Sequence, residues 1–323
     1  MVAELAEATE WMTFQSCRGL ALNTLDAYGR NLERYLCFLQ KTEVRPWDVK
    51  QDQVASYLHD LLAVSSTPDK ESRLANATIQ QHITTLRLFH DFLLEDGRCK
   101  RNPFRTGSGF SSRPLLRREH KLPWIPTEEE WCRVLAAAAT ESIRNRFMLA
   151  LSYDAGLRRE ELCLLETGDI DPSHRILHIR AGTTKSRRAR VLPYSQITGD
   201  LFGLYLEKRR LMSLGRGRLF LSESRRNRAQ PISKWSWSKI VNGLAKRAKV
   251  SAFSTHTTRH LCLTDLARAG WDIHEIATFA GHRNIDTTMI YINLSARDLA
   301  AKFNATMDQV HQRRLELMKE LFQ

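Results

Sequence analysis

The sequence predicts an α+β protein, mainly helical with one small β-sheet, divided into two domains. Three observations predict it. Apolar residues recur at helical spacing through most of the chain. Only two short runs alternate as strands do. One basic stretch without any period, residues 98 to 121, separates the helical segments into an N-terminal and a C-terminal group.

The elements follow in order. Residues 24 to 41 are amphipathic, with Leu25, Tyr28, Leu32, Tyr35, Leu36 and Leu39 on one face. Residues 51 to 63 repeat the pattern. So do residues 77 to 95, through Ile79, Ile83, Leu86, Phe89 and Phe92, with stops at Gly97 and Asn102-Pro103. Residues 64 to 76 are rich in Ser, Thr and charge and read as a loop. Residues 1–103 thus form a helical domain. Residues 98 to 121 hold Gly107, Gly109, three serines, eight basic residues and one acid, Glu119. We place a basic linker at 104–121. It is either a flexible solvated connector or a strand of charge laid along a polyanion.

The second domain is assigned to 122–323. Residues 127 to 139 and 143 to 154 read as helices. Residues 175 to 180 alternate, and 188 to 193 lead into Pro193, so the pair predicts a β-hairpin with Lys185 near its tip. Helices follow at 197 to 213, 234 to 248, 255 to 269, 272 to 280 and 286 to 293. Asp272 with Glu275 predicts a capping box, and Gly270 and Gly281 predict helix stops. A C-terminal tail, 296–323, carries an amphipathic segment over 296 to 321.

Lys plus Arg number 49 against 36 Asp plus Glu, a formal charge of +13 and a pI of about 9.7. Such a surface attracts polyanions, nucleic acid first. No apolar run reaches the roughly 18 residues of a spanning helix, so no membrane partner is expected. The acidic start at Glu4, Glu7 and Glu10 is unlike a signal peptide. The six cysteines are dispersed with no CxxC, which reads as reduced thiols in a cytoplasmic protein.

Candidate chemistry lies in the second domain. Residues 154 to 162, Asp-Ala-Gly-Leu-Arg-Arg-Glu-Glu-Leu, place Arg158 in the first turn of a new helix, where anions are favoured and a guanidinium can grip phosphate oxygens. Glu161 is close enough to orient that arginine. Read alone, Arg158 is one of a pair of solvated arginines. His256 and Arg259 share a helix face at i, i+3, offering a proton carrier and a phosphate clamp. Read alone, they are a surface His and Arg at a helix start. His260 and Cys262 invite a metal reading, but no second convergent ligand pair accompanies them, so no metal and no cofactor is expected. His282 follows Gly281, and Tyr291 lies nine residues on, where a half-buried core tyrosine is the ordinary reading.

Taken together these elements resemble the tyrosine recombinases of the phage integrase and Xer type. The matches are Gly-Leu-Arg-Arg-Glu-Glu-Leu (156 to 162), Thr-Lys (184 to 185), His-Thr-Thr-Arg-His (256 to 260) and Gly-His with Tyr291 (281 to 291). They span the second domain, while the helical first domain resembles the family's core-binding domain less specifically. Thr258 departs from an apolar preference, and the 64 to 76 loop and the hairpin turn are long.

The resemblance implies a catalytic role for six residues. Tyr291 attacks the scissile phosphorus to form a 3′-phosphotyrosyl link and release a 5′-hydroxyl. Arg158 and Arg259 hold the non-bridging oxygens, Lys185 protonates the leaving oxygen, His256 handles the tyrosine proton, and His282 donates to the phosphate. Independently of any family, a tyrosine with a pKa near 10 needs a base or a strong positive field to attack at neutral pH. The implied partners are double-stranded DNA with specific recombination sites, clamped by both domains, further copies in a homotetramer, and an accessory or directionality protein. The implied setting is a mobile element, through integration, transposition or cointegrate resolution. Xer-type chromosome dimer resolution, a type IB topoisomerase and a non-catalytic DNA-binding protein of the same fold remain alternatives. The tail packs either on its own domain or, as in the family, on a neighbouring protomer.

Overall fold

The computed structural model describes residues 5–63, 74–105, 115–116, 122–184, 187–295, 307, 309–310 and 312–314. The chain separates into two compact units, Met1–Lys121 and Leu122–Gln323. The described residues are mostly helical with one three-stranded sheet.

The first unit holds α1 (Ala6–Cys17), α2 (Leu22–Lys41), α3 (Gln51–Ala63) and α4 (Asn76–Glu95). The expected stripes bury as their spacing requires: Leu32, Tyr35, Leu36 and Leu39 on α2 face Ile79, Ile83, Leu86 and Phe89 of α4 in one core. Helix α1 is absent from the periodicity reading. Its buried positions are Ala8, Trp11 and Gln15, one of them polar, while Phe14 is exposed. No apolar stripe therefore marks it. Trp11 is its largest buried side chain, stacking on Tyr28 with centroids 5.7 Å apart and meeting Phe89 edge-on at 5.6 Å.

Three polar pairs cross this core. Tyr35 Oη meets His90 Nε2 at 2.9 Å, Tyr57 Oη meets His82 Nδ1 at 3.2 Å, and Asn31 donates to Thr85 at 3.0 Å. Burial pushes His82 down to about 4 and His90 down to about 3, so both imidazoles are neutral where they meet the phenols.

The stretch read as a linker from residue 104 begins inside this unit. Phe104 is buried in its core, Leu115 and Leu116 pack against it, and Gln80 donates to the Leu116 carbonyl at 2.7 Å. Of the segment expected as a loop, residues 64 to 73 lie outside the described residues.

The second unit holds α5 (Glu128–Ala139), α6 (Ile143–Asp154), α7 (Arg159–Cys163), α8 (Gln196–Arg210), α9 (Lys234–Arg247), α10 (Thr257–Arg268), α11 (Ile273–Ala280) and α12 (Asp286–Ser295). Strands β1 (Ile170–Asp171), β2 (Ile176–Ile179) and β3 (Arg190–Pro193) pair antiparallel in that order. The predicted hairpin is β2–β3, in register Leu177↔Leu192 and Ile179↔Arg190. Two residues are too few to show alternation, which is why β1 was not foreseen. Alternate positions Leu177, Ile179 and Leu192 bury one face of the sheet. The other side of the core is aromatic: Phe147 meets Phe220 at 5.4 Å and Tyr205 at 5.9 Å.

Helix α10 packs on α6, α11 and α12, so three neighbours hold the segment that carries Arg259. The Asp272 capping box is present in full, with Asp272 accepting from the His274 N–H at 2.7 Å and Glu275 from the Asp272 N–H at 2.8 Å. Of the tail, residues 307, 309, 310 and 312–314 are helical, and the rest of 296 to 321 lies outside the described residues. Among the described residues no helix is long and apolar enough to cross a membrane.

Candidate active site

Two turns bring the candidates together. Gly156 (φ +53°) ends α6 and delivers Arg158; Gly281 (φ +63°) caps α11 in the left-handed conformation and delivers His282. At both positions a side chain would be strained by the positive φ and would crowd a neighbouring side chain. A Cβ at Gly156 would stand 3.2 Å from Phe279, and one at Gly281 would stand 3.0 Å from an Arg190 nitrogen.

Arg158 does not lie in the first turn of its helix, as the sequence had predicted. It precedes α7 as an extended N-cap, because its N–H and side chain are both claimed by Glu161. Its Nη1 donates to Glu161 Oε1 at 2.9 Å and its backbone N–H to Oε2 at 2.9 Å. Glu161 is fully enclosed, at 1% exposure, and also takes two bonds from Arg190, at 3.1 and 2.8 Å. Burial opposes its charge, but the Arg190 and Arg158 bonds win and hold its carboxyl below the usual range. Arg190 is thus committed: its Nε donates to the Phe279 carbonyl at 3.0 Å.

Arg259 is buried at 3% exposure. Its Nη1 donates to the Gly156 carbonyl at 2.6 Å, and Nη2 to the Ala280 carbonyl at 2.7 Å and His282 Nε2 at 3.0 Å. Arg158 reaches the same Ala280 carbonyl at 3.4 Å. Burial and then Arg158 pull the Arg259 pKa down to about 10, so it stays a cation at neutral pH, under strain from its own kind. Three guanidinium groups therefore share one carboxylate in a low-dielectric region. That arrangement is unfavourable until an anion joins it.

His282 Nε2 faces the Arg259 donor, so it must accept; Nδ1 then carries the proton and donates to Thr288 Oγ1 at 2.9 Å. Burial, then Arg259, Arg158 and Arg190, lower its pKa to about 3. In this arrangement His282 turns no N–H toward a phosphate, contrary to its expected role. Donation requires a second proton, which an anion between the arginines would favour.

Tyr291 is buried, at 3% exposure, with its ring stacked on that of His282, 6.1 Å and 10° apart. Its hydroxyl lies 2.9 Å from His260 Nδ1. The expected partner, His256, is instead exposed at the α10 N-cap, with its ring 6.4 Å from that of His260. Burial of its surroundings and the nearby Arg159, Arg259 and Arg158 lower its pKa. Sequence reasoning weighed His260 only as a metal ligand with Cys262. The two diverge: Cys262 Sγ donates to the Asp154 carbonyl at 3.8 Å. The signal for His260 was its i+4 spacing from His256, one further turn along the same face. Lys185 lies outside the described residues.

Comparison with known proteins follows this geometry. The model of the phage integrase family matches residues 126–297, and that of the phage integrase N-terminal SAM-like domain matches residues 11–97. A tyrosine recombinase XerD of Oceanobacillus iheyensis is 29% identical over 293 residues, covering 86% of this chain and 90% of that protein. A tyrosine recombinase XerC of Herpetosiphon aurantiacus is 27% identical over 318 residues, covering 97% and 96%. Among solved structures, the Tn1549 transposon integrase in complex with transposon right-end DNA aligns with a TM-score of 0.69 at 18% identity, covering 91% of this chain and 98% of that one. The XerH recombinase in a post-cleavage complex with its difH substrate aligns at 0.68 and 17%, covering 89% and 81%. At that identity the structural matches speak to fold alone.

Proposed function

This chain belongs to the phage integrase family, and we propose that it is a site-specific DNA recombinase that cuts and rejoins duplex DNA through a 3′-phosphotyrosyl intermediate. The observation that carries the reading is the under-neutralised cluster beside Tyr291: among the described residues, Arg158, Arg190 and Arg259 stand against the one carboxylate of Glu161. A phosphodiester offers the missing negative charge, and the developing charge of a pentacoordinate phosphorus offers more. Positive groups fixed in advance also lower the cost of forming the phenolate.

In this reading Tyr291 attacks phosphorus, Arg158 and Arg259 hold the non-bridging oxygens, and Glu161 orients Arg158. Lys185, on the β2–β3 connection, protonates the leaving 5′ oxygen. His282 donates to the phosphate once the anion has raised its proton affinity. His256 stands exposed at the α10 N-cap, in the positive field of Arg159, Arg259 and Arg158. No metal or other cofactor has a part. The phosphotyrosyl bond keeps the energy of the broken one, so religation to a new strand needs no ATP.

We further propose that it acts as a homotetramer on paired sites within a mobile element, aided by an accessory or directionality protein. Xer-type chromosome dimer resolution is the second reading, favoured by the nearly end-to-end match to proteins named XerC and XerD. The test is to select bound duplexes from a random pool and assay pairwise strand exchange between them in EDTA. Exchange is expected, and the selected sequence is then located at element ends or at a single chromosomal locus. Binding without cleavage would leave a non-catalytic DNA-binding protein. Relaxation of supercoils without exchange would make it a topoisomerase.

A further inference from the structure

Tyr291 must lose a proton as it attacks, and the structure shows what stands ready to take it. Tyr291 is buried at 3% exposure, so in the free protein its hydroxyl meets protein lone pairs rather than bulk water. Arg259 is near enough to favour the phenolate, but a guanidinium has only donors. His282 stacks on the ring with both nitrogens engaged, by Arg259 and by Thr288. His256 is a turn away at the exposed helix start. Among the described residues around Tyr291, His260 Nδ1, at 2.9 Å, supplies the lone pair.

We propose that His260, rather than His256, is the immediate acceptor of the Tyr291 proton, a catalytic residue in contact with the nucleophilic oxygen. The proposal rests on Tyr291 being that nucleophile. The Oη–P bond forms as the P–O5′ bond breaks, the Oη proton moves to His260 Nδ1, and the leaving O5′ takes a proton from a separate acid. Religation runs the same transfers backwards, with the imidazolium returning its proton to Oη.

The groups facing His260 are His256 and Arg259 of its own helix and Tyr291 of α12. Burial first, then His256 and Arg259, lower its pKa to about 4, which makes it a neutral acceptor but a weak base. A phosphodiester held by Arg259 and Arg158 offsets that positive field. His260 thus gains basicity when substrate is in place, which ties proton removal to occupancy of the site.

The test uses the full chain, a nicked suicide duplex bearing the selected site, and His260→Ala, His260→Gln and His256→Ala, each with Tyr291 or with trifluorotyrosine at 291. Glutamine keeps a hydrogen bond and most of the packing but cannot carry a proton. Single-turnover adduct formation is expected to fall about 10²–10³-fold in both His260 variants, within the usual worth of a general base, with duplex affinity nearly unchanged. The acidic fluorinated phenol needs less help, so it should recover at least about tenfold in the His260 variants and show no such selective recovery in His256→Ala. Cleavage by His260→Gln at the unaltered rate, or selective recovery in His256→Ala, overturns the proposal. Tyr291→Phe is the control that separates the two readings. An adduct in that variant would sink the wider assignment, whereas a dead Tyr291→Phe beside a fully active His260→Gln would sink this proposal alone.

Discussion

Glu161→Gln removes the one carboxylate that, among the described residues, bonds the arginine cluster, while keeping its shape. The structure gives the size of the effect. Glu161 is at 1% exposure and accepts four hydrogen bonds, three from guanidinium nitrogens and one from the Arg158 N–H. An amide turns one acceptor oxygen into a donor that faces donors, and leaves Arg158 and Arg190 without a counter-charge. Breaking a buried pair from one side typically costs about 3–5 kcal/mol. In a domain of roughly 200 residues that is a fall in Tm of about 10 °C. An anion supplies what the variant lacks, so inorganic phosphate or a bound duplex should narrow the gap by binding only the folded state. Cleavage should fall about 100-fold, since a phosphate clamp displaced by an ångström loses that much. Urea unfolding with and without phosphate, beside single-turnover cleavage, measures all three. A loss below about 1 kcal/mol with no gain from phosphate would refute the argument that this carboxylate balances the cluster.

Two further outcomes follow. The first unit should lose stability in acid. His82 and His90 are held neutral, with folded pKa values of about 4 and about 3 against an ordinary 6.5. Their contribution is complete above about pH 6.5 and is lost as pH falls from there toward 3 to 4, each histidine adding a slope of up to about 1.4 kcal/mol per pH unit; unfolding of residues 1–121 that is flat from pH 7 to 4 would contradict this. Lys185→Ala should be rescued by a substrate whose 5′ bridging oxygen is sulfur, because a thiolate leaves without an acid, and Arg158→Ala should not. Arg190 is no substitute donor, being tied to Glu161 and Phe279, so equal behaviour of the two variants would remove Lys185 from its role.

The helices with a clean apolar stripe were legible, α2 and α4 among them, because burial of one face leaves a period that no neighbour disturbs. Helix α1 was not, because its buried positions include a glutamine and trace no apolar stripe. Strand β1 was not, because two residues carry no alternation. In the site, the residue types and their order were legible, and their partnerships were not. Nothing in the spacing of Arg190 pairs it with Glu161; only folding shows that Glu161 and the Phe279 carbonyl enclose it. His260 and His256 are both histidines on α10, and nothing in their spacing says which meets Tyr291. That choice is made by α12, whose packing on α10 brings the phenol to the second of them.

The most direct measurement of the central claim is the chemical identity of the protein–DNA link. A nicked suicide duplex that loses a short fragment on cleavage traps the intermediate in EDTA, and proteolysis with mass spectrometry locates the nucleotide on the chain. The account predicts a 3′-phosphate esterified to Tyr291, with a free 5′-hydroxyl on the released strand. An adduct on any other residue, a 5′ linkage, or cleavage that leaves no adduct and requires a divalent cation would contradict it.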